Sequence, residues 1–299
     1  MIHIIDLNFQ GTKGSIAAFL METQIGPVLF ESGPFSTFNT LKDEIEKTGF
    51  NITDIKHVFI SHIHFDHAGA AWKFAEHGAK IYVHPLGVSH LNNPDKLWGS
   101  AVRIYGDFMD KLWGQMNPIP YNQLVPLAHS SVTILGDIQI QAIHTPGHAI
   151  HHIAYAVNDV VFCGDVGGVK IGDGPVVPPC PPPDIHVEDW CASIQLIRQL
   201  QPAKLYLTHF GIVNSSIEKH FDLLESTLML YVNMISEEME KEKDMVKITE
   251  SFQKMVESKW IELNMDNDEI LRYNLANPAF MSVSGIIRYW TKIKGKMWN

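Results

Sequence analysis

The chain has 299 residues but only three cysteines, Cys163, Cys180 and Cys191, with no CxxC pair among them. That count excludes a disulfide framework and a thiolate-rich metal centre. It fits a reducing compartment, with the thiols serving as small buried apolar groups. No uninterrupted apolar run reaches the roughly 18 to 20 residues that a membrane helix needs. The opening MIHIIDLNFQGTKGSIAAFLMET has no basic region followed by an apolar core and a small-residue cleavage site, so a cytoplasmic protein without a membrane span is expected. Positive charge is also in deficit: 23 Lys and Arg stand against 33 Asp and Glu, a formal net charge of -10. The lysines are scattered, and no basic patch interleaved with aromatics supplies phosphate-backbone affinity, so no nucleic-acid partner is expected. No repeat of fixed period occurs.

What remains is an ordinary globular composition, 45% hydrophobic and 19% charged, long enough for one large α/β domain with a small accessory piece. Short apolar runs at 2–7, 16–21 and 27–30, separated by Gly11, Gly14 and Gly26, predict strands with tight connections. Helical spacing at 40–48, a strand at 56–61, a helix at 68–77 closed by Gly78 and a strand at 80–84 follow. Strand, helix, strand over that length is a crossover unit, which predicts parallel pairing. The stretch 85–126, with a helix expected near 98–114, reads as an insertion lying over one face. Strands are expected at 132–135, 138–143, 151–157 and 160–163, with hairpin turns at Gly136-Asp137 and Asn158-Asp159. The prolines of PPCPPP at 178–183 preclude a regular helix and favour an extended cover segment. A helix at 187–200 and a strand at 204–209 complete the pattern. The tail then reads as helical, its stripe Phe221, Leu224, Leu228, Val232, Ile235 and Met239 spaced by three and four.

Histidine is the abundant functional residue, 16 in all. In His62-Ile-His64-Phe-Asp66-His67 the first two imidazoles are two residues apart, which places them on one side of an extended chain, as two ligands of one ion require. Asp66 and His67 fall at the turn into the next helix, within reach of a second ion. His148 in TPGH, Asp165 in FCGD and His209 in LTHFG each follow a strand signal, and strand-to-loop transitions are where layered α/β folds carry function. Imidazole with carboxylate suits Zn, Mn or Fe.

These residues closely resemble the metallo-β-lactamase superfamily, over roughly residues 15–212, with all seven positions of the glyoxalase II-like two-metal pattern filled. The resemblance implies a four-layer αββα sandwich with the site at one edge, here carrying a C-terminal helical extension. It implies a hydrolase domain over 1–215, with the insertion at about 85–126, and a helical extension over 216–299. It further implies two divalent ions, Zn the leading choice and Mn or Fe the alternatives. His62, His64 and His148 would hold the first, Asp66, His67 and His209 the second, with Asp165 bridging. Two departures stand out: LTHFG replaces a PGHG-like turn, and ESGP at 31–34 replaces an LIDTG-like one, with Glu31 outside the ligand set.

The expected chemistry is hydrolysis of a small-molecule thioester, lactone or other acyl bond by a bridging hydroxide, with Asp66 orienting the nucleophile and Asp165 holding the ions together. The alternatives are a small-substrate phosphodiesterase and a diiron oxygen-binding or redox protein. The diiron relatives generally carry a glutamate where this chain has His64. Of the remaining residues, His152 is a candidate for supporting the ligands, while His151 is expected on the opposite side of its strand. Ser61 is expected to serve the turn. Trp98, Tyr105, Phe108, Trp113 and Tyr121 are expected to hold the insertion down as a satellite core, with lining of a substrate channel the alternative. Arg103 is expected in a solvated salt bridge. A homodimer through the helical extension or the insertion is the one protein partnership considered.

Overall fold

The computed structural model describes residues 1–296 and Trp298. Strand residues alternate between two apolar environments. In β2 (Ala17–Thr23), Ala17, Phe19 and Met21 face one core while Ala18 and Leu20 face another. A strand with both faces covered belongs to an inner layer. β2 lies in a six-stranded sheet of sequential order with β1 (Ile2–Asp6), β3 (Gly26–Phe30), β4 (His57–Phe59), β5 (Lys80–Val83) and β6 (Leu124–Pro126). A second six-stranded sheet holds β7 (Val132–Leu135), β8 (Ile138–His144), β9 (Ile153–Val157), β10 (Val160–Phe162), β11 (Lys204–Leu207) and β12 (Gly211–Ile212), also in sequential order. The two sheets pack face to face. Between them Phe30 and Phe162 stack with ring centroids 3.9 Å apart, and Tyr155 donates from its hydroxyl to the carbonyl of Ile60 across the gap.

Parallel steps β3 to β4, β4 to β5, β5 to β6 and β10 to β11 each require a crossover. These crossovers contain α1 (Phe38–Lys47), then α2 (Phe65–Ala68) with α3 (Ala71–Glu76), then α4 (Pro85–Asn92), α5 (Asp95–Tyr105) and α6 (Met109–Leu112), and finally α7 (Val187–Gln199). The first three groups cover the outer face of the first sheet; α7 covers the second. Beyond β12 come α8 (Ile217–Lys241), α9 (Met245–Glu262), α10 (Asn267–Ala276) and α11 (Ala279–Arg288). The expected stripe of α8 is buried in one core with α7, α9 and α11. Phe221 in that stripe is wholly buried, and truncating such a side chain to alanine costs about 3–5 kcal/mol. The four-layer αββα order with a C-terminal helical region is thus observed. No helix among the described residues is long and apolar enough to cross a membrane.

Several local expectations need correction. The stretch 85–126 does not lie wholly over one face: Leu124–Pro126 is an edge strand paired parallel to β5, where a terminal proline is tolerated because its missing N–H faces no partner. The helix expected at 98–114 begins at Asp95 and breaks at Gly106, whose φ of 51° is incompatible with a helix. The helix expected at 68–77 spans only Ala71–Glu76 and is set off from a separate helical turn, Phe65–Ala68, because the Ala70 N–H donates to the carbonyl of Gly33 and Gly69 rests against Pro34. His151 precedes β9 in a turn, not on the far side of a strand, and its ring lies 6.0 Å from that of His64.

Candidate metal centre

β4, β8, β10 and β11 all finish at the same edge of the sandwich, and the seven histidines and aspartates emerge from the segments that follow them. After β4 the chain leaves the sheet and the motif is pinned in place. The Ile153 N–H donates to the carbonyl of Ser61, and both the backbone N–H and hydroxyl of Ser32 donate to the carbonyl of His67. After β10, Gly164 adopts φ 49°, and a Cβ there would lie 2.6 Å from His152 Nε2 and 2.7 Å from the Ser61 side chain. Only glycine lets this turn pass close enough to present Asp165.

Two ligand groups result. His62 Nε2, His64 Nδ1 and His148 Nε2 lie 2.8–3.1 Å from one another, the spacing of neighbouring ligands around one ion with bonds of about 2 Å. Asp66, His67 and His209 form the second group, with His209 Nε2 3.4 Å and His67 Nε2 3.8 Å from Asp66 Oδ2. Asp165 stands between them. Its Oδ2 lies 3.3 Å from His148 Nε2, while its Oδ1 lies 3.2 Å from His67 Nε2 and 3.5 Å from His209 Nε2.

The far side of each ring decides which nitrogen is free. His148 Nδ1 donates to the carbonyl of Pro179 and His209 Nδ1 to that of Ser15, each at 2.8 Å. His67 Nδ1 donates to Glu31 Oε1 at 3.1 Å, and His62 Nδ1 lies 2.9 Å from the Ser61 hydroxyl. Holding the proton on Nδ1 leaves the Nε2 lone pair pointing inward, as a metal ligand requires. The cluster fits a divalent cation on its own evidence of unmet bonding: His67 Nε2, Asp165 Oδ1 and His209 Nε2 are buried with no hydrogen-bond partner among the described residues. Orphaned polar atoms of this kind cost about 1–3 kcal/mol each, and a borderline cation with nitrogen and oxygen ligands satisfies all three.

The electrostatics agree. Burial and the neighbouring imidazoles push His62 well below the usual histidine range, and burial with His148 pushes His64 down to about 3, so both stay neutral. At the carboxylate end the balance reverses. Burial disfavours a charged His67, but Asp165, Glu31 and Asp66 outweigh it and hold the ring well above its usual range; against the same burial, Asp165 and Asp66 raise His209. Burial likewise disfavours a charged Asp66, yet His67 and His209 bring it down to about 2. The buried Asp165 and the part-buried Asp66 thus demand positive charge at the place where the orphaned atoms converge.

All seven expected residues are brought together. Among the supporting candidates, His152 Nε2 accepts from the Asp165 N–H at 3.1 Å, while its Nδ1 pairs with the Thr145 hydroxyl at 2.8 Å, so it holds the Asp165 turn. Ser61 does more than serve the turn, touching both His62 and His67. Glu31, expected outside the ligand set, is in none of the ligand groups but supports them: 3% exposed and in a left-handed conformation, it gathers His67 Nδ1, the Ser61 N–H and the Thr208 hydroxyl, a role the sequence reading did not assign. The clue was its place directly after β3, the parallel neighbour of the strand that ends in the motif.

A cavity of about 450 Å³ opens onto His64, Asp66, His148 and Asp165. Tyr105, Phe108 and Trp113 line it, so these aromatics do not serve only as a satellite core. Trp98 instead packs edge-on against Phe65, and Tyr121 is exposed. Arg103 is not itself a lining residue and, among the described residues, forms no salt bridge; its guanidinium donates to the hydroxyl of Ser100, which does line the cavity. The proline segment supplies another wall, as expected of a cover, and residues 274–281, at the junction of α10 and α11, supply a third that the sequence did not signal.

Residues 11–209 match the family model of the metallo-beta-lactamase superfamily. A metallo-beta-lactamase fold-containing protein of Sulfurisphaera tokodaii is 27% identical over 185 residues, covering 60% of this chain and 70% of that protein. A probable metallo-hydrolase of Methanocaldococcus jannaschii is 27% identical over 157 residues, covering 50% of this chain and 69% of that protein. The solved structure of a metallo-beta-lactamase family protein from Thermus thermophilus shares the fold over 98% of this chain and 94% of its own, with a TM-score of 0.71 at 15% identity. The matched stretch contains the whole histidine and aspartate cluster and ten of the twelve strands, β2 to β11, and the chain belongs to the metallo-beta-lactamase superfamily.

Proposed function

We propose that the protein is a dinuclear metal-dependent hydrolase of the glyoxalase II-like kind, acting on a small-molecule thioester, lactone or other acyl bond. The observation that carries this is Asp165, whose two oxygens face two separate ligand groups. His62, His64 and His148 would hold one ion and Asp66, His67 and His209 the other, with zinc the leading choice and Asp165 spanning the two. Bound divalent ions supply Lewis acidity, lowering the pKa of water and drawing electron density from the scissile carbonyl.

The chain's own residues do the rest. Asp66 lines the cavity and stays ionised, so its carboxylate is placed to orient the attacking water and receive a proton from it. Asp165 is buried and held by its turn and by His152, which keeps the ligand groups in register. Apolar walls limit bulk water around the scissile bond, which strengthens electrostatic interactions within the site. In this arrangement residues 1–215 carry the chemistry, and the helices of 216–299 complete the cavity.

The test is His64→Ala, with ion content measured on the same sample. Turnover of a thioester and lactone panel should fall at least a hundredfold as the first ion is lost and the fold persists. Unchanged turnover in variant protein shown to lack that ion sinks the assignment.

A further inference from the structure

The cavity's lining specifies the kind of substrate more narrowly than the ligand cluster does. The acidic groups and histidines at its floor all belong to the ligand set, and no Lys or Arg is among its described lining residues. Its remaining polar groups are neutral and largely engaged. Asn277 donates to the carbonyl of Pro178 and accepts from Ser282, while burial and the nearby Asp66 hold Tyr105 protonated. The walls are aromatic, aliphatic and proline surface drawn from residues 97–113, 179–183 and 274–281, with Phe9 and Phe65 beside them. Apolar character continues outward to the mouth, where Ile104, Phe108 and Phe280 are 44%, 61% and 39% exposed.

Resting on the hydrolase reading above, we propose that the substrate carries an uncharged alkyl or aryl-alkyl group of medium length, seated against Tyr105, Trp113, Pro181 and Phe280 with the scissile carbonyl at the metal ligands. The cavity lies within the size range of small-molecule sites and exceeds what an acetyl or lactoyl group fills. A carboxylate or phosphate seated against the inner walls would lose its hydration where no lining residue is a cation, Arg103 and Arg288 standing behind Ser100 and Pro183 with their guanidinium groups bonded to them, and that cost is not repaid there. Glutathione thioesters and nucleotide phosphodiesters, anionic away from the reacting bond, are therefore disfavoured. Hydrolysis adds water across the acyl bond: the carbonyl carbon gains the hydroxyl as a carboxylic acid, the thiol or alcohol leaves with the proton, and no oxidant or reductant is consumed.

The experiment compares acetyl, butyryl and octanoyl thioesters of N-acetylcysteamine, the ω-carboxyl analogue of the octanoyl compound, and short and long γ-lactones, on metal-loaded protein. In parallel, calorimetry measures binding of n-alkyl methyl ketones of matching length. Each buried methylene gives roughly a threefold to fourfold gain, so kcat/KM should rise on the order of a hundredfold from butyryl to octanoyl, with ketone affinity rising in step. The ω-carboxyl analogue should lose at least tenfold. Ile104→Glu, at a partly exposed position, should flatten the dependence on chain length in both assays. Turnover indifferent to chain length, or favouring the ω-carboxyl analogue, overturns the proposal while leaving the hydrolase reading intact. Length-dependent ketone binding with no turnover of any acyl compound supports the apolar cavity and defeats the hydrolase reading instead. Loss of both defeats both.

Discussion

Replacing Glu31 with glutamine changes one atom and separates its orienting role from its structural one. The carboxylate serves three donors: His67 Nδ1 at 3.1 Å and the Thr208 hydroxyl at 3.4 Å on Oε1, and the Ser61 N–H at 3.3 Å on Oε2. Glutamine has one oxygen and one NH2 group, so at least one of these buried donors must face another donor. The orphaned group costs about 1–3 kcal/mol, visible as a drop of several degrees in the unfolding temperature of metal-free protein. The weakened Nδ1 hydrogen bond also frees the ring of His67 to rotate and lowers its basicity as a ligand. Losses of this type reduce metal affinity by about 10–100-fold. Competition with a chromophoric chelator measures that affinity, and it should fall for Glu31→Gln and further for Glu31→Ala. Lost stability with unchanged metal affinity in both variants would refute the orienting role. Unchanged stability as well would refute the hydrogen bonds themselves.

Two further perturbations probe how the helical tail supports the site. His220 on α8 donates from Nε2 to the carbonyl of Gly167, just past Asp165, and its Nδ1 is buried without a partner among the described residues; burial pushes its pKa down to about 4. Its folded pKa lies below the unfolded value near 6.5, so the unfolded chain binds more protons between these limits. The associated stability is full above about pH 6.5 and is lost as pH falls toward 4, by up to roughly 3 kcal/mol. His220→Gln keeps a donor and should reduce the loss of stability between pH 6.5 and 4 relative to wild type in denaturant titrations; parallel profiles would contradict this. In α11, a Cβ on Gly285 would come within 2.0 Å of the Cys180 carbonyl. Gly285→Ala should therefore lift the proline segment from the helix, lower stability by about 1–3 kcal/mol, and weaken ketone binding in the cavity. A variant as stable and as tight-binding as wild type would show that this contact does not set the wall.

The gathering of the seven histidines and aspartates was legible because its members announce themselves locally: four stand within six residues at 62–67, and His148, Asp165 and His209 each follow a strand pattern within a few residues. The sandwich was legible through the same residues and the apolar runs between them. What stayed hidden depends on contacts between distant segments. Glu31 matters because β3 pairs in parallel with β4, Phe30 against Phe59, which brings the residue after each strand to the same edge. β6 was missed because Leu-Val-Pro carries a proline, tolerated here only by its place at a sheet edge. The wall at 274–281 lies far along the chain from the motif, and its position follows from packing of α11 on the proline segment, where Ser282 and Asn277 bond to Cys180 and Pro178. Helical periodicity describes a buried stripe but not which neighbour it meets.

The central claim, two ions spanned by Asp165 and hydrolysis dependent on them, is tested most directly by elemental analysis and acyl-ester turnover on one sample of purified protein as chelator is titrated in. About two divalent ions per chain, with turnover falling as they are removed and returning when zinc is restored, is the expected result. Turnover that persists in protein stripped of its ions, or saturation at one ion per chain with full activity, would contradict it.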